Sequence, residues 1–272
     1  MKNAKKENVM VSHFIFLIFN DLLHSVHAGL NWILENPRIE YIPRVQGWIT
    51  SYCFIRYLTK AHKKIFQYHR EFREKKDLHR HVLKKLDYFQ DPFISSVIGR
   101  PATRYVSATE ILYIITRILE PKTVVETGVA SGISSTYILQ ALKDNGRGEL
   151  YSIDISTQIP RDTKQVGWII PQELRYRWHL IRGSSSEKLL PLLKSLGKID
   201  IFLHDSLHTY ENMLWEYKTV WHFIRRDGIL LSHDIQLNKA FSDFCDSIKG
   251  KDVSLGNLGG ISKCYNEKET VW

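Results

Sequence analysis

The stretch TVVETGVASGISS, residues 123–135, decides the fold of this chain. Its first part, Thr123–Glu126, is a short apolar run of the kind that forms a buried β-strand. Gly128 and Gly132 follow, and glycine lets the backbone turn tightly and approach a neighbouring group closely. The next residues, Ser134–Lys143, suit an α-helix. The stretch therefore predicts a strand, a glycine turn and a helix in succession.

The spacing of the two glycines excludes two common phosphate-binding turns. It is not the G-x-G-x-x-G of dinucleotide-binding folds, and no Gly-Lys-Ser/Thr follows as it does in a P-loop. We therefore expect a ligand pocket here that has no cradle for a pyrophosphate.

Strands and helices alternate along the second half of the chain. Alternation over roughly 150 residues indicates an α/β fold with a doubly wound, mainly parallel sheet. Gly256, Gly259 and Gly260 indicate a C-terminal antiparallel hairpin. The other predicted strands are Glu149–Ile155, Trp178–Arg182, Ile199–His204 and Gly228–Ser232, and the other helices are Glu110–Leu119, Lys188–Leu196 and Tyr210–Arg225.

Polar residues follow the second and third strands, at the edge where such sheets bind ligands. Asp154 ends the second strand, where an acid can bind the two hydroxyls of a ribose. Ser184 and Ser185 follow the third strand in a small turn that can border a flat base. Together with the glycine turn, these residues predict a nucleoside pocket.

These residues resemble the motifs of a known family. Glu126-x-Gly128-x-x-x-Gly132-x-Ser134, then Asp154 and Gly183-Ser184-Ser185, is similar to the Rossmann-like S-adenosylmethionine-dependent methyltransferases, above all their small-molecule O-methyltransferase branch. The resemblance covers about residues 100–272. It implies that Gly128 and Gly132 approach the methionine part of the donor, beside Glu126 and Ser134, that Asp154 binds the ribose, and that Ser184 and Ser185 border the adenine.

The ends of the fourth and fifth strands carry the candidates for chemistry. Asp205 and His208 follow the fourth strand, and His233 and Asp234 follow the fifth. Both strand ends point into one cleft, so we expect the four side chains to converge. The pattern D-x-x-H-[ST]-Y-E with a later H-D resembles a methyltransferase group associated with glycan and natural-product tailoring. A histidine suits a general base at neutral pH, and His208 is the first candidate and His233 the second.

The resemblance also implies a magnesium site. In related metal-dependent O-methyltransferases, acids at the ends of these two strands bind the ion, and Asp205 and Asp234 occupy those positions, Asp205 also bordering the donor. Two departures weaken the match: Ile235 and His233 flank the strand-five acid, and Leu207 stands where an acid is common. Magnesium prefers oxygen ligands, so a softer metal and no metal remain open alternatives.

The net charge of +9 belongs to one short segment. Residues 56–85 hold eleven Lys and Arg against three acids, whereas residues 86–272 hold 22 of each sign. The three cysteines, Cys53, Cys245 and Cys264, are too far apart to suggest a metal site or a disulfide framework, which favours a reducing, cytoplasmic setting. We therefore expect a local basic patch on an otherwise neutral, cytoplasmic protein and no general nucleic-acid surface.

The chain divides into two predicted parts. Residues 1–95 form a helical arm, in which the run from Met10 to Ile33 has the period of an amphipathic helix, and residues 96–272 form the methyltransferase domain. Three interpretations of the arm stay open: packing on its own domain or on a second subunit, as in a homo-oligomer, docking peripherally on the anionic inner face of a membrane, or a nucleic-acid contact.

The sequence thus predicts methylation of a hydroxyl on a sugar, a glycan intermediate or another small polar metabolite. The alternatives are methylation of a membrane-associated lipid or lipid-linked glycan, and a non-catalytic cofactor-binding subunit whose arm mediates assembly. RNA methylation is disfavoured because His204-Asp205-Ser206-Leu207 stands where a base-methylating enzyme carries Asn-Pro-Pro-Tyr.

Overall fold

The computed structural model describes residues 42–87, 108–155 and 165–263. Its seven strands form one sheet, and the carboxyl ends of the first five lie at the same edge. The strands are β1 (Thr123–Thr127), β2 (Glu149–Asp154), β3 (Trp178–Arg182), β4 (Ile199–His204), β5 (Ile224–Ser232), β6 (Asp252–Leu255) and β7 (Leu258–Ser262).

The strand order confirms the doubly wound, mainly parallel sheet and its C-terminal hairpin. The order is β3-β2-β1-β4-β5-β7-β6. β1 to β5 pair in parallel, while β7 runs antiparallel to both β5 and β6. The chain reverses its direction of winding between β1 and β4, and the crevice outside such a switch point is where open α/β sheets bind ligands. The loops after β1 and β4 are therefore the first place to look for a site.

Eight α-helices are present in the part of the chain that the structure describes. The short 3₁₀ helix Gln172–Arg177 precedes β3. The α-helices are α1 (Ile42–Thr59), α2 (Lys63–Glu74), α3 (Lys76–Asp87), α4 (Ala108–Leu119), α5 (Ile133–Asp144), α6 (Ser185–Leu196), α7 (Tyr210–Trp221) and α8 (Ala240–Ser247). None of these described helices combines the length and the apolar character that crossing a bilayer requires.

The sheet has a hydrophobic core on each face. Successive strand residues point to opposite faces, so Val124 packs in one core and Val125 in the other. The first core contains residues of α4 and α5, and the second contains residues of α6, α7 and α8. Both faces of the sheet are thus covered by helices, so the ends of its strands are where a ligand can reach the sheet.

Helices of the basic segment belong to the first core. Ile65, Tyr68 and Phe72 of α2 are buried, and the Phe72 ring packs at a tilt against the Tyr113 ring of α4, with centroids 5.5 Å apart. Glu71 of α2 also accepts hydrogen bonds from Tyr113 and from Arg117. This part of the arm packs on its own domain. The expected boundary at residue 95, and the amphipathic run from Met10 to Ile33, lie outside the described residues.

The largest differences from the sequence-based expectation lie around β5. The helix expected to continue to Arg225 ends at Trp221, and β5 begins at Ile224 instead of Gly228. Ile199 of β4 pairs with Ile224, and the register shifts between Ile199 and Ile201, so an irregular parallel pairing recruits these earlier residues into the strand. Helix α8 was not expected.

Candidate active site

The glycine turn after β1 is held by the loops beside it. Gly128 has φ +83°, and a Cβ there would lie 1.8 Å from the carbonyl oxygen of Asp205. Gly132 has φ +90°, and a Cβ there would lie 2.8 Å from the Ile170 side chain. Both glycines are therefore required by contacts within the protein itself, at a turn that adjoins Asp205.

Asp154, expected at the ribose, closes the other side of this turn. Its carboxylate accepts hydrogen bonds from the backbone N–H groups of Val129 at 2.8 Å and Ala130 at 3.0 Å. The side chain lies at the end of β2 and is 8% exposed. One carboxylate oxygen of Asp154 thus fixes the turn, and the residue stands at the carboxyl end of β2 beside it.

Glu126, expected beside the methionine part of the donor, is fully buried beneath the turn. Its carboxylate accepts hydrogen bonds from the hydroxyls of Ser135 and Ser152, and the Ser134 hydroxyl lies 3.5 Å away. Burial raises the pKa of Glu126 to about 7, although the serine hydrogen bonds oppose the shift. Glu126 therefore reaches the turn through the serines of α5 and β2.

Ser184 and Ser185, expected at the adenine, begin helix α6. Ser184 is the N-cap of α6, and its hydroxyl lies 2.9 Å from that of Ser186. The Ser185 hydroxyl points to Asn212 of α7 at 3.4 Å. The two serines thus stand at the end of β3 on the same edge of the sheet as Asp154.

The four residues expected to carry chemistry do converge. Nε2 of His208 lies 3.6 Å from a carboxylate oxygen of Asp205 and 3.6 Å from one of Asp234. Nδ1 of His233 lies 3.5 Å from each of the same two side chains. All four are partly exposed, between 21% and 36% by side chain. We call Asp205, His208, His233 and Asp234 the acid–histidine cluster.

A fifth residue supports this cluster and has no signal in the sequence. Asn257, in the turn between β6 and β7, donates a hydrogen bond to Asp234 at 2.9 Å and lies 3.3 Å from Nε2 of His233. The antiparallel pairing of β7 with β5 brings this turn to the end of β5. Asp234 has φ +53°, a left-handed conformation that its short polar side chain tolerates.

The distances from Nε2 of His208 to Asp205 and to Asp234, 3.6 Å each, fit a shared divalent cation. Ligand atoms about 2.1 Å from one ion and 90° to 120° apart lie roughly 3.0 to 3.6 Å from each other. Nε2 of His208 is buried and has no hydrogen-bond partner among the described residues. It is therefore free to serve as a ligand atom for a cation. The Asp205 carboxylate, and more weakly that of Asp234, raises the pKa of His208 above its ordinary value despite partial burial.

Several solved structures resemble this chain at low sequence identity. An O-methyltransferase from Bacillus cereus in complex with SAH is 12% identical with a TM-score of 0.46, covering 69% of this chain and 91% of that one. The O-methyltransferase TomG from Streptomyces achromogenes, in complex with SAM, is 14% identical with a TM-score of 0.48, covering 65% and 91%. The MycE methyltransferase, in complex with Mg, SAH and mycinamycin VI, is 16% identical with a TM-score of 0.42, covering 57% and 48%.

A family of methyltransferase domains matches the sequence directly. The match spans residues 125–235, from the third residue of strand β1 to the residue after Asp234. It includes the glycine turn, Asp154 and the whole acid–histidine cluster. No protein of curated function matches the sequence significantly. Residues 125–235 are therefore similar to a family of methyltransferase domains.

Proposed function

We propose that this protein transfers a methyl group from S-adenosylmethionine to a hydroxyl group of a sugar, a glycan intermediate or another small polar metabolite, beside a divalent cation. One observation carries the proposal: Asp205, His208 and Asp234 meet at the end of β4 and β5 with atoms spaced for a shared ion. The O-methyltransferases among the similar structures act at hydroxyl oxygens by name, and we carry that acceptor chemistry over as part of the proposal.

The donor would bind along the edge formed by the ends of β1, β2 and β3. Gly128 in the turn is half-buried and Gly132 is buried, Asp154 lies at the rim of the turn, and Ser184 and Ser185 lie farther along the same edge. This order suits methionine, ribose and adenine in turn. Asp205 lies at the junction, because its main chain touches Gly128 and its side chain belongs to the acid–histidine cluster.

The cation would be held by Asp205, His208 and Asp234. When bound, such an ion would lower the pKa of a coordinated hydroxyl group. S-adenosylmethionine would supply the electrophilic methyl group on its sulfonium. The mixed carboxylate and imidazole set suits Mn²⁺ or Fe²⁺ as well as Mg²⁺.

The histidines provide the proton acceptor. Nε2 of His208 can bind a cation or accept the acceptor's hydroxyl proton, but it cannot do both at once. In the presence of the cation, His233 is the remaining imidazole of the cluster, 3.5 Å from both carboxylates. In its absence, Nε2 of His208 lies 3.6 Å from both carboxylates and is the candidate general base.

The first test is calorimetric titration of the protein with S-adenosylmethionine, repeated with EDTA and with added Mg²⁺ or Mn²⁺. Donor binding, together with separate binding of the metal, supports the proposal. A protein that binds no donor at high micromolar concentration contradicts the function, and one that binds donor but no metal removes the cation from it.

A membrane-associated lipid or lipid-linked glycan is the second candidate acceptor, favoured by the exposed surface of α2 and α3. Eight Lys and Arg side chains on this surface are exposed against two acids, and the apolar Phe66 and Leu83 lie among them. Beside the acid–histidine cluster, Leu207 is 61% exposed and Leu237 is 64% exposed. Cations with interspersed apolar side chains suit an anionic bilayer surface. The cations are Lys63, Lys64, Arg70, Arg73, Lys76, Arg80, Lys84 and Lys85.

A further inference from the structure

The loop Asp205–His208 carries two of the three candidate cation ligands, and every residue of it is tied down. The loop has no regular secondary structure, so its conformation depends on hydrogen bonds to neighbouring residues. The ties are Asp205 N to Thr127 O at 2.8 Å, Ser206 Oγ to Glu216 Oε1 at 2.8 Å, Asn212 Nδ2 to Leu207 O at 2.9 Å and Asn238 Nδ2 to His208 O at 3.1 Å.

Glu216 of α7 is the centre of this arrangement. Its side chain is fully buried, and its carboxylate accepts hydrogen bonds from Thr127 at 2.6 Å, His204 at 2.8 Å and Asn212 at 3.2 Å, besides that from Ser206. These donors come from the ends of β1 and β4, from the loop and from the first turn of α7. Burial alone would raise the pKa of Glu216, but the His204 contact and the other hydrogen bonds hold it below the ordinary value.

His204 lies between Glu216 and the acid–histidine cluster and contacts both. Its Nδ1 faces Glu216, so this nitrogen bears the proton, and its ring stands edge-on to the His208 ring with centroids 5.2 Å apart. Its backbone carbonyl accepts a hydrogen bond from the N–H of His233 at 2.9 Å. The His204 imidazole is fully buried, so its contact with His208 is made in the interior.

We propose that Glu216 and His204 are positioning residues: Glu216 fixes the His204 ring and the loop Asp205–His208, and His204 in turn orients the His208 ring towards Asp205 and Asp234. Neither touches the place where donor or acceptor would bind. The inference rests on the proposed function for what the cluster does, but the arrangement itself concerns only side chains within the protein.

The variant Glu216→Gln tests this arrangement with little change in size. An amide cannot accept all four hydrogen bonds that the carboxylate accepts, because its nitrogen is a donor. The matched control is Asp200→Asn. Asp200 is also buried and also accepts several hydrogen bonds, from Lys122 N, Thr123 N and Arg225, but it lies at the opposite end of β4.

Two readouts separate positioning from simple stabilisation. The first is the imidazole Cε1–H NMR signal of His208, assigned by its loss in His208→Asn. The second is Mn²⁺ affinity, measured by electron paramagnetic resonance. We expect Glu216→Gln to shift the His208 signal and to weaken Mn²⁺ binding about 10- to 100-fold, as outer partners of metal ligands do. Asp200→Asn should lower thermal stability and leave both readouts unchanged.

The outcomes distinguish this inference from the function itself. If the His208 signal is the same in Glu216→Gln and in the parent protein, the positioning inference is wrong. If the parent protein binds neither donor nor Mn²⁺, the proposed function fails, and the NMR signal still decides the arrangement. Ser206→Ala, which removes one hydroxyl from the same set, gives a milder version of the test if Glu216→Gln does not fold.

Discussion

Gly128 lies directly against the main chain of Asp205, so the glycine turn after β1 and the acid–histidine cluster are joined at one point. A Cβ at position 128 would lie 1.8 Å from the Asp205 carbonyl oxygen and 2.5 Å from its carbonyl carbon. The N–H of Asp205 donates to the carbonyl of Thr127, the residue before Gly128, at 2.8 Å. The end of β1 and the start of the acid–histidine cluster must therefore move together.

Gly128→Ala should destabilise the protein and weaken donor and metal binding together, because the loop with Asp205 has to shift. Gly146→Ala is the control, since Gly146 also has positive φ but a Cβ there would meet no other atom within 4 Å. We expect about 1 kcal/mol for Gly146→Ala from backbone strain alone and a substantially larger loss of unfolding free energy for Gly128→Ala. Urea denaturation measures both.

Equal losses for the two alanine variants would show that the contact between Gly128 and Asp205 relaxes easily. The close contact between the glycine turn and the acid–histidine cluster would then carry no functional meaning.

The sequence predicts the residues at the carboxyl ends of the strands well, because each of these ends depends on a local pattern. The apolar pair Val124–Val125, the glycine turn and the polar residues after β4 and β5 are all visible in a few consecutive letters. Glu216 and Asn257 are not visible in this way. Glu216 looks like any acid on a helix, and it becomes central only because β1 and β4 pair and place Thr127 and His204 beside it.

Phe72→Ala should show that α2 is part of the domain's core. The side chain is 7% exposed and packs on Tyr113 and Tyr137, so its removal leaves a cavity. We expect a loss of about 3–5 kcal/mol in unfolding free energy. Phe66→Ala in the same helix, at 36% exposure, should cost less than about 1 kcal/mol. An unchanged stability of Phe72→Ala would mean that the domain folds without this helix.

Glu126 should make stability depend on pH. Burial raises its pKa in the folded protein to about 7 from the ordinary 4.5, so the folded state binds the proton more tightly than the unfolded state. The stabilisation is therefore complete below about pH 4.5 and is lost as the pH rises through about 7, to an extent of roughly 3 kcal/mol.

Glu126→Gln should remove that loss, because the amide does not titrate. Urea unfolding of both proteins from about pH 5 to about pH 8 measures the difference in slope. Glu173→Gln, an exposed site, is the control and should keep the slope of the parent protein. Parallel curves for the parent and Glu126→Gln would show that Glu126 does not bind its proton across this range.

Asp234→Asn should separate the cation from the donor. The substitution removes one candidate ligand. The amide oxygen of the new asparagine can still accept the hydrogen bond from Asn257. We expect Mn²⁺ affinity to fall at least about tenfold, with the donor's dissociation constant within about twofold of the parent value. Asp243→Asn, an exposed acid on α8, should change neither. Unaltered Mn²⁺ binding in Asp234→Asn would exclude this side chain as a ligand.

The basic surface of α2 and α3 should bind anionic vesicles if the acceptor is lipid-associated. Replacing Lys76, Arg80 and Lys84 by serine should reduce binding to phosphatidylserine vesicles at least about tenfold, since each cation near such a surface contributes about 1 kcal/mol. High salt should abolish the binding of the parent protein. Serine at the exposed Lys194, Lys218 and Lys239 removes equal charge elsewhere and should leave binding unchanged. Equal losses of vesicle binding in both triple variants would show that only the net charge matters. Binding of an RNA oligonucleotide but not of vesicles would assign the surface to nucleic acid.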